Sequence, residues 1–300
     1  MGSRLFAMAV FPCVALGALV VGVTLTEAGV SVAVACTVVG VLATLVLLVV
    51  ESWRPRRADM RVNADSQAFP DVAHYLVVMQ LAGPIGGYVV AVGIAHLTGW
   101  NDGRALTTWP SEWPFALQVV VAWLTLGFFD YWIHRAYHSV DLLWWVHAVH
   151  HDTEGINVLK FGRVHALEGL VNGAVIVSLA TVGVPWDALA VALAASAVLV
   201  NLSHANLDQE VWRPVHRVLP TVHLHRIHHA RERALHDTNL GLPFYDMAFG
   251  TYTAPESCPD PEMGRVDPSA PTSFVGQLWH PVRKWSATAR HRLATHAAAE

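Results

Sequence analysis

Apolar side chains run in long blocks along this chain rather than in alternation, at about 5–25, 31–50, 72–97 and 113–133. Each block can cross a hydrocarbon core of about 30 Å, which takes about 20 helical residues, so four spanning helices are expected. The third block carries Gly83, Pro84, Gly86 and Gly87 and should kink, its freed backbone groups being satisfied by neighbouring helices. Two shorter apolar runs, 169–184 and 188–202, flank the turn GVPWD and predict a hairpin that enters the membrane. A Pro-rich polar stretch at 254–272 predicts a loop before an amphipathic C-terminal tail. The pattern specifies an all-α integral membrane protein with about four transmembrane helices, a short membrane hairpin and a cytosolic histidine-rich helical cap. Its expected divisions are N-terminal transmembrane helices at 1–110, a histidine-rich domain at 111–255 and a C-terminal cytosolic tail at 256–300.

Composition agrees: 54% of the 300 residues are hydrophobic and 14% charged, too apolar for an ordinary soluble domain. The N-terminal run RLFAMAVFPCVALGALVVGVTL exceeds a signal-peptide core of about 7–15 residues and reads as a retained helix. Arg54, Arg56, Arg57 and Arg61 lie between the second and third blocks, and positive loops stay in the cytoplasm. The N-terminus, every dense histidine motif and the C-terminus are therefore expected on the cytoplasmic side. A net charge of −4 with dispersed basic residues excludes a nucleic-acid footprint. The three cysteines, Cys13, Cys36 and Cys258, are too far apart for a CxxC site or a disulfide framework, so any metal must be held by other residues.

Histidine supplies them. HRAYH at 134–138, HAVHH at 147–151 and HRIHH at 225–229 place imidazoles three and four residues apart, on common helical faces. With 18 histidines in 300 residues, chance would give HxxHH about 0.06 times per chain, so two copies beside an HxxxH carry information. His134, His138, His147, His150, His151, His225, His228 and His229 exceed the three or four ligands of one zinc site, and two metals are the simpler account. His165 and His204, at the two mouths of the hairpin, return to the same face as further candidate ligands. Packing so many imidazoles without metal would leave unpaired polar groups or repelling charges. Imidazole suits zinc, copper, iron and nickel alike, and composition does not choose among them. A metal transporter or metal-binding membrane protein is the rival reading, but transport needs ionisable ligands at membrane depth. The first three blocks offer only His74 and His96, without acidic companions. A zinc hydrolase is disfavoured because the Glu of HExxH is absent.

These motifs resemble the fatty acid hydroxylase and sterol desaturase superfamily of membrane-bound histidine-box di-iron oxidases, over about 125–253. FFDYWIHRAYH is similar to its first box, LLWWVHAVHH to its second and HRIHH to its third; GRVHALEGL, LSHANL, HDTNLG and FYDMAFGTY are similar to the accompanying segments. Ala166, Leu240 and Tyr245 stand where the family often has Pro, Tyr and Trp. The resemblance implies two irons held by His134, His138, His147, His150, His151, His204, His225, His228 and His229, with His165 as a tenth ligand. It implies that Asp130, Asp237, Asn239 and Asp246 orient the imidazoles. It further implies an oxidoreductase that uses O₂ to hydroxylate or desaturate a lipid drawn from the membrane, whether sterol, fatty acyl or related isoprenoid. The chain has no haem-attachment CxxCH or GxGxxG fingerprint, so electrons are expected from a separate reductase or redox carrier.

Overall fold

The structure, a computed structural model, describes residues 2–98, 109–267 and 270–297, and among them the regular elements are all helical. Helices α1 (Gly2–Glu27) and α2 (Val32–Trp53) are joined by a tight link in which Gly29 takes φ 85°, a conformation that glycine adopts without a Cβ clash. The third apolar block folds as α3 (Ala68–Val77), a π-helical turn (Val78–Ala82) and α4 (Gly83–Thr98). The expected kink is this π-turn, closed by the Gly83 N–H donating to Val78 O. Helix α5 (Phe115–Ser139) runs into the first histidine motif and α6 (Asp141–His151) carries the second.

The predicted hairpin is present as α7 (Ala166–Thr181) and α8 (Trp186–His204), turned at Gly183 with φ 106°. Its arms part, however, because each has a better partner than the other. Helix α7 lies along α4, where a Cβ on Gly86 would sit 2.0 Å from Leu170 O and one on Gly173 would sit 1.8 Å from Gly83 O. Only glycines permit this backbone approach, the close small-residue packing that membrane helices use in place of a hydrophobic drive. Helix α8 instead packs against α2 and α5. Leu202 and Val198 meet Leu47, Ala43 and Val10 on one side, and Ala188, Leu189 and Ala192 meet Ala122 on the other.

Among the described residues five helices are long and apolar enough to cross a membrane: those of the four apolar blocks and α8, the second arm of the hairpin, with 19 residues and a mean hydropathy of 1.6. The apolar run alone understates its length, because the helix continues through Asn201, Ser203 and His204. Their donors are bonded within the protein: Asn201 Nδ2 donates to Thr44 Oγ1 at 3.0 Å, Ser203 Oγ to Val200 O at 2.9 Å and His204 Nδ1 to Val200 O at 2.8 Å. Helix α7, with 16 residues, falls short of that length.

At the end of the spans reached by His138 and His204, α6, α9 (Val222–His228), α10 (Pro243–Phe249), α11 (Phe274–Leu278) and α12 (His280–Ala297) form the polar part. The C-terminal segment is docked rather than a free tail. Helix α12 lies on α6, Trp285 Nε1 donates to Leu142 O at 2.9 Å, and Arg265 pairs with Asp152 at 2.8 Å. Buried charges tie the N-terminal helices in. Asp71 of α3 accepts from Lys160 at 2.6 Å and from Arg163 at 3.1 Å. Glu51 at the end of α2 accepts backbone N–H bonds from Val158 at 3.0 Å and Asn206 at 2.8 Å.

Candidate metal centre

The fold sorts the imidazoles of the three motifs into two sets. In α6, His147 and His151 are four residues apart and face one way, while His150 faces another; in α9, His225 and His229 share a face and His228 turns from it. His134 and His138 from α5, His147 and His151 from α6 and His228 from α9 form one cluster, and His150, His204, His225 and His229 form the other. Within each, one ring nitrogen per residue lies within 4.8 Å of all the others. The clusters interlock: the His151 and His229 rings stack at 4.4 Å and 14°, and His150 and His229 lie at 4.6 Å. His204, an isolated histidine in the sequence, joins the second cluster because α8 ends there.

The outer ring nitrogens fix the tautomers. His134 Nδ1 donates to Leu240 O at 2.5 Å, His150 Nδ1 to Arg163 O at 3.2 Å and His228 Nδ1 to Thr238 O at 2.9 Å. His204 Nδ1 donates to Val200 O, and His147 Nδ1 donates to Glu168 Oε2 at 2.8 Å. A carbonyl only accepts, so each of these neutral rings carries its proton on Nδ1 and presents a lone pair at Nε2. Two pairs of those Nε2 atoms then face one another, His134 and His147 at 3.0 Å and His134 and His228 at 3.1 Å, while His204 Nε2 faces His225 Nε2 at 2.9 Å. Opposed lone pairs are unfavourable unless a cation lies between them. Both ring nitrogens of His138 and His151, and Nε2 of His229, are buried without a hydrogen-bond partner. A donor set that is all imidazole, oriented from behind and unpaired in front, fits transition-metal binding.

His165 stands outside both clusters, contrary to the expectation of a tenth ligand. It is the N-cap of α7: Nδ1 accepts from Leu167 N–H at 3.1 Å and Nε2 donates to Leu278 O at 3.1 Å. Both nitrogens are committed, because a helix start leaves N–H groups that need an acceptor. Of the four residues expected to orient imidazoles directly, none bonds to one. Asp130 and Asp237 are exposed and hydrogen-bond to no cluster histidine. Asn239, with φ 53°, accepts from Thr253 N–H at 2.9 Å and donates to Thr253 O at 3.0 Å and Leu224 O at 3.3 Å. Asp246 accepts from Leu240 N–H at 2.8 Å, Gly241 N–H at 3.2 Å and Thr251 Oγ1 at 2.7 Å. These two side chains set the path of segment 238–241, and its carbonyls at Thr238 and Leu240 receive His228 and His134. Their influence on the clusters therefore passes through the backbone.

The carboxylate that does reach a cluster imidazole is Glu168, which sequence reading missed. Its Oε2 holds His147 while Oε1 accepts from His165 N–H at 3.3 Å. The local signal was HALE, a capping-box spacing with His in the Ser or Thr position. Arg163 is a second missed support: its carbonyl holds His150, and Asp71 and Val149 O, the latter at 2.8 Å, hold its guanidinium.

Burial is the first cause, and neighbouring histidines the next, that hold His150, His151, His225, His228 and His229 well below the ordinary imidazole pKa. These rings stay neutral in the fold, while in an unfolded chain they protonate below pH ~6.5. The unfolded state then binds more protons, so stability falls as pH drops below ~6.5 and is unaffected above it. The thermal midpoint of metal-stripped protein in detergent should accordingly drop steeply between pH 6.5 and 5, and bound metal should move that drop to lower pH. A flat profile over this range in the stripped protein would contradict the neutral-imidazole assignment.

Comparison with known proteins adds to this geometry. Residues 119–251 match the fatty acid hydroxylase family. The chain is 30% identical over 224 residues to an ornithine lipid hydroxylase of Rhizobium tropici, covering 72% of this chain and 66% of that one. It is 29% identical over 167 residues to human alkylglycerol monooxygenase, covering 52% of this chain and 34% of that one. The zebrafish (Danio rerio) alkylglycerol monooxygenase is 30% identical over 166 residues, or 54% of this chain and 36% of its own. The chain thus spans just under two thirds of the first relative and about a third of the other two. No solved structure matches it significantly.

Proposed function

The chain belongs to the fatty acid hydroxylase superfamily, whose family region covers residues 119–251, and on that basis we propose that it is an O₂-dependent hydroxylase of a membrane lipid. The observation that carries the reading is the pair of interlocked imidazole clusters, with Nε2 atoms facing one another and the Nδ1 atoms of His134, His147, His150, His204 and His228 anchored. We assign one iron to each cluster, because the reaction needs a redox metal and an imidazole set accepts iron. His165 is left out of the ligand set.

Bound iron would supply the reduction of O₂ and the oxidation of an unactivated C–H bond. The overall balance is R–H + O₂ + 2e⁻ + 2H⁺ → R–OH + H₂O, with the two electrons from a separate reductase or redox carrier. The residues of the chain do the rest. Glu168, Arg163 O, Thr238 O, Leu240 O and Val200 O fix ring orientation, so the ligands need no rearrangement to receive metal. Burial of His147, His150, His151, His204, His228 and His229 keeps water from the reacting groups, which protects a reactive oxidant and strengthens local electrostatics. The clusters sit where α5 and α8 leave the apolar spans, a position that a lipid reaches by lateral movement in the bilayer. The arginine-rich link after α2 supports a cytoplasmic position for this end, since positive loops are retained on that side.

Hydroxylation is favoured over desaturation, and a polar lipid over a free hydrocarbon, because the relatives are named as an ornithine lipid hydroxylase and alkylglycerol monooxygenases. The test compares lipid extracts of cells with and without the protein, grown under ¹⁸O₂. A lipid heavier by one ¹⁸O atom is expected only in the expressing cells. A new species lighter by two hydrogens and free of label would make the enzyme a desaturase, and unchanged lipids from metal-loaded protein with a reductase supplied would defeat the proposal.

A further inference from the structure

Two cavities adjoin along α1 at the end of the spans that carries the clusters. One, of about 430 Å³, carries charged and polar side chains among apolar ones, with Arg56, Gln209, His223 and Arg226 in its wall. The other, of about 460 Å³, is an apolar groove between α1 and α2 that extends from Phe6 and Val50 to Val21 and Val39. Ala7 lines the polar cavity while Phe6 and Val10 line the groove, so both lie beside the same turn of α1. Trp53 and Trp212, 73% and 76% exposed, flank this region as indoles do at a membrane–water interface. A box of charged and polar side chains at that level, beside an apolar groove into the hydrocarbon, has the two-part chemistry of a lipid molecule.

The charges specify the headgroup. Three carboxylates of the polar wall already face arginines: Asp208 with Arg56 at 3.8 Å, Glu210 with Arg4 at 2.8 Å and Glu256 with Arg213 at 3.3 Å. Arg226 differs. It is 5% exposed; Nη2 donates to Leu207 O at 2.9 Å and Ala205 O at 3.3 Å, but Nη1 has no hydrogen-bond partner. No carboxylate lies within ion-pair distance of it among the described residues. Gln209 Oε1, in the same wall, is also buried and unpartnered; as an acceptor it is complemented by a headgroup hydroxyl and not by the anion itself. A buried guanidinium donor left unbonded is costly, and a planar anion is its natural complement.

We propose that this composite site binds a membrane lipid with a phosphate or carboxylate in its headgroup, the anion on Arg226 and one chain in the α1–α2 groove. Arg226 sits between His225 and His228 on α9, and it points to the cavity on the other side of that helix from the clusters. The lipid is therefore held apart from the metal centre, braced against the back of the helix that carries His225 and His228 and ends at His229. Its binding does not require the hydroxylase reading.

The test is titration of the purified full chain in an uncharged detergent, read by native mass spectrometry. The probes are dioleoyl phosphatidylglycerol, dioleoylglycerol and inorganic phosphate. Saturable binding of one phosphatidylglycerol is expected, with dioleoylglycerol and phosphate each about tenfold weaker or more, the scale of a lost charge-assisted hydrogen bond or a lost apolar chain. Arg226→Met should weaken phosphatidylglycerol by a similar factor. Gly17→Trp, at a groove position with nothing within 4 Å of an added Cβ, should block the chain and weaken it independently. If Arg226→Met does not fold, Gly17→Trp decides. Equal affinity for dioleoylglycerol would refute the anion site, equal affinity for phosphate would reduce it to a free-anion site, and unchanged binding in Gly17→Trp would refute the groove.

Discussion

His150→Ala and His228→Ala, one from each cluster, should each lose at least one metal ion per chain and abolish lipid hydroxylation while the protein still inserts in the membrane. Each residue is buried and contributes one inward nitrogen to a set held from behind by the backbone, and alanine replaces that nitrogen with nothing. Both lie outside the spanning helices, so insertion does not depend on them. Elemental analysis of purified wild type and variants side by side makes the comparison, with about two irons per chain expected for the wild type from the two clusters. If zinc occupies the wild-type sites after overexpression, the same comparison follows iron reconstitution. Product formation retained in either variant would remove that histidine from the reacting centre, and metal absent from reconstituted wild type would remove the centre itself.

The second large effect is expected at Glu168. Its carboxylate is the one charged side chain bonded to a cluster imidazole among the described residues, and partners in this position change metal affinity by about 10–100-fold. Glu168→Ala should lose metal to a competing chelator by about that factor. Glu168→Gln should recover part of it, because the amide oxygen still accepts from His147 Nδ1. The same residue closes the cap of α7, worth about 1 kcal/mol in other helices, so a purely structural role would lower the thermal midpoint without changing chelator resistance. That split between the two readouts distinguishes the two roles.

What the sequence determined by itself was the local part of the design. Long apolar runs can be satisfied only as buried or lipid-facing helices, and three- and four-residue histidine spacings put imidazoles on common faces wherever the helix goes. Eight of the nine clustered histidines follow from that rule. His204 was a candidate only from the side on which its helix ended. The parting of α7 from α8 was not legible, because it depends on glycines 83, 86, 169 and 173 meeting across helices distant in the chain. Nor was the division of HAVHH and HRIHH between two clusters, which depends on how the ends of α5, α6, α8 and α9 come together. The supports were the least legible. Asp130 and Asp237 look like partners for histidine in sequence, yet the protons go to the carbonyls of Arg163, Val200, Thr238 and Leu240, and every residue carries a carbonyl. Which of them lies behind a given imidazole is decided only when Asn239 and Asp246 bend the chain after α9 and Asp71 anchors Arg163, contacts between segments that sequence spacing does not bring together.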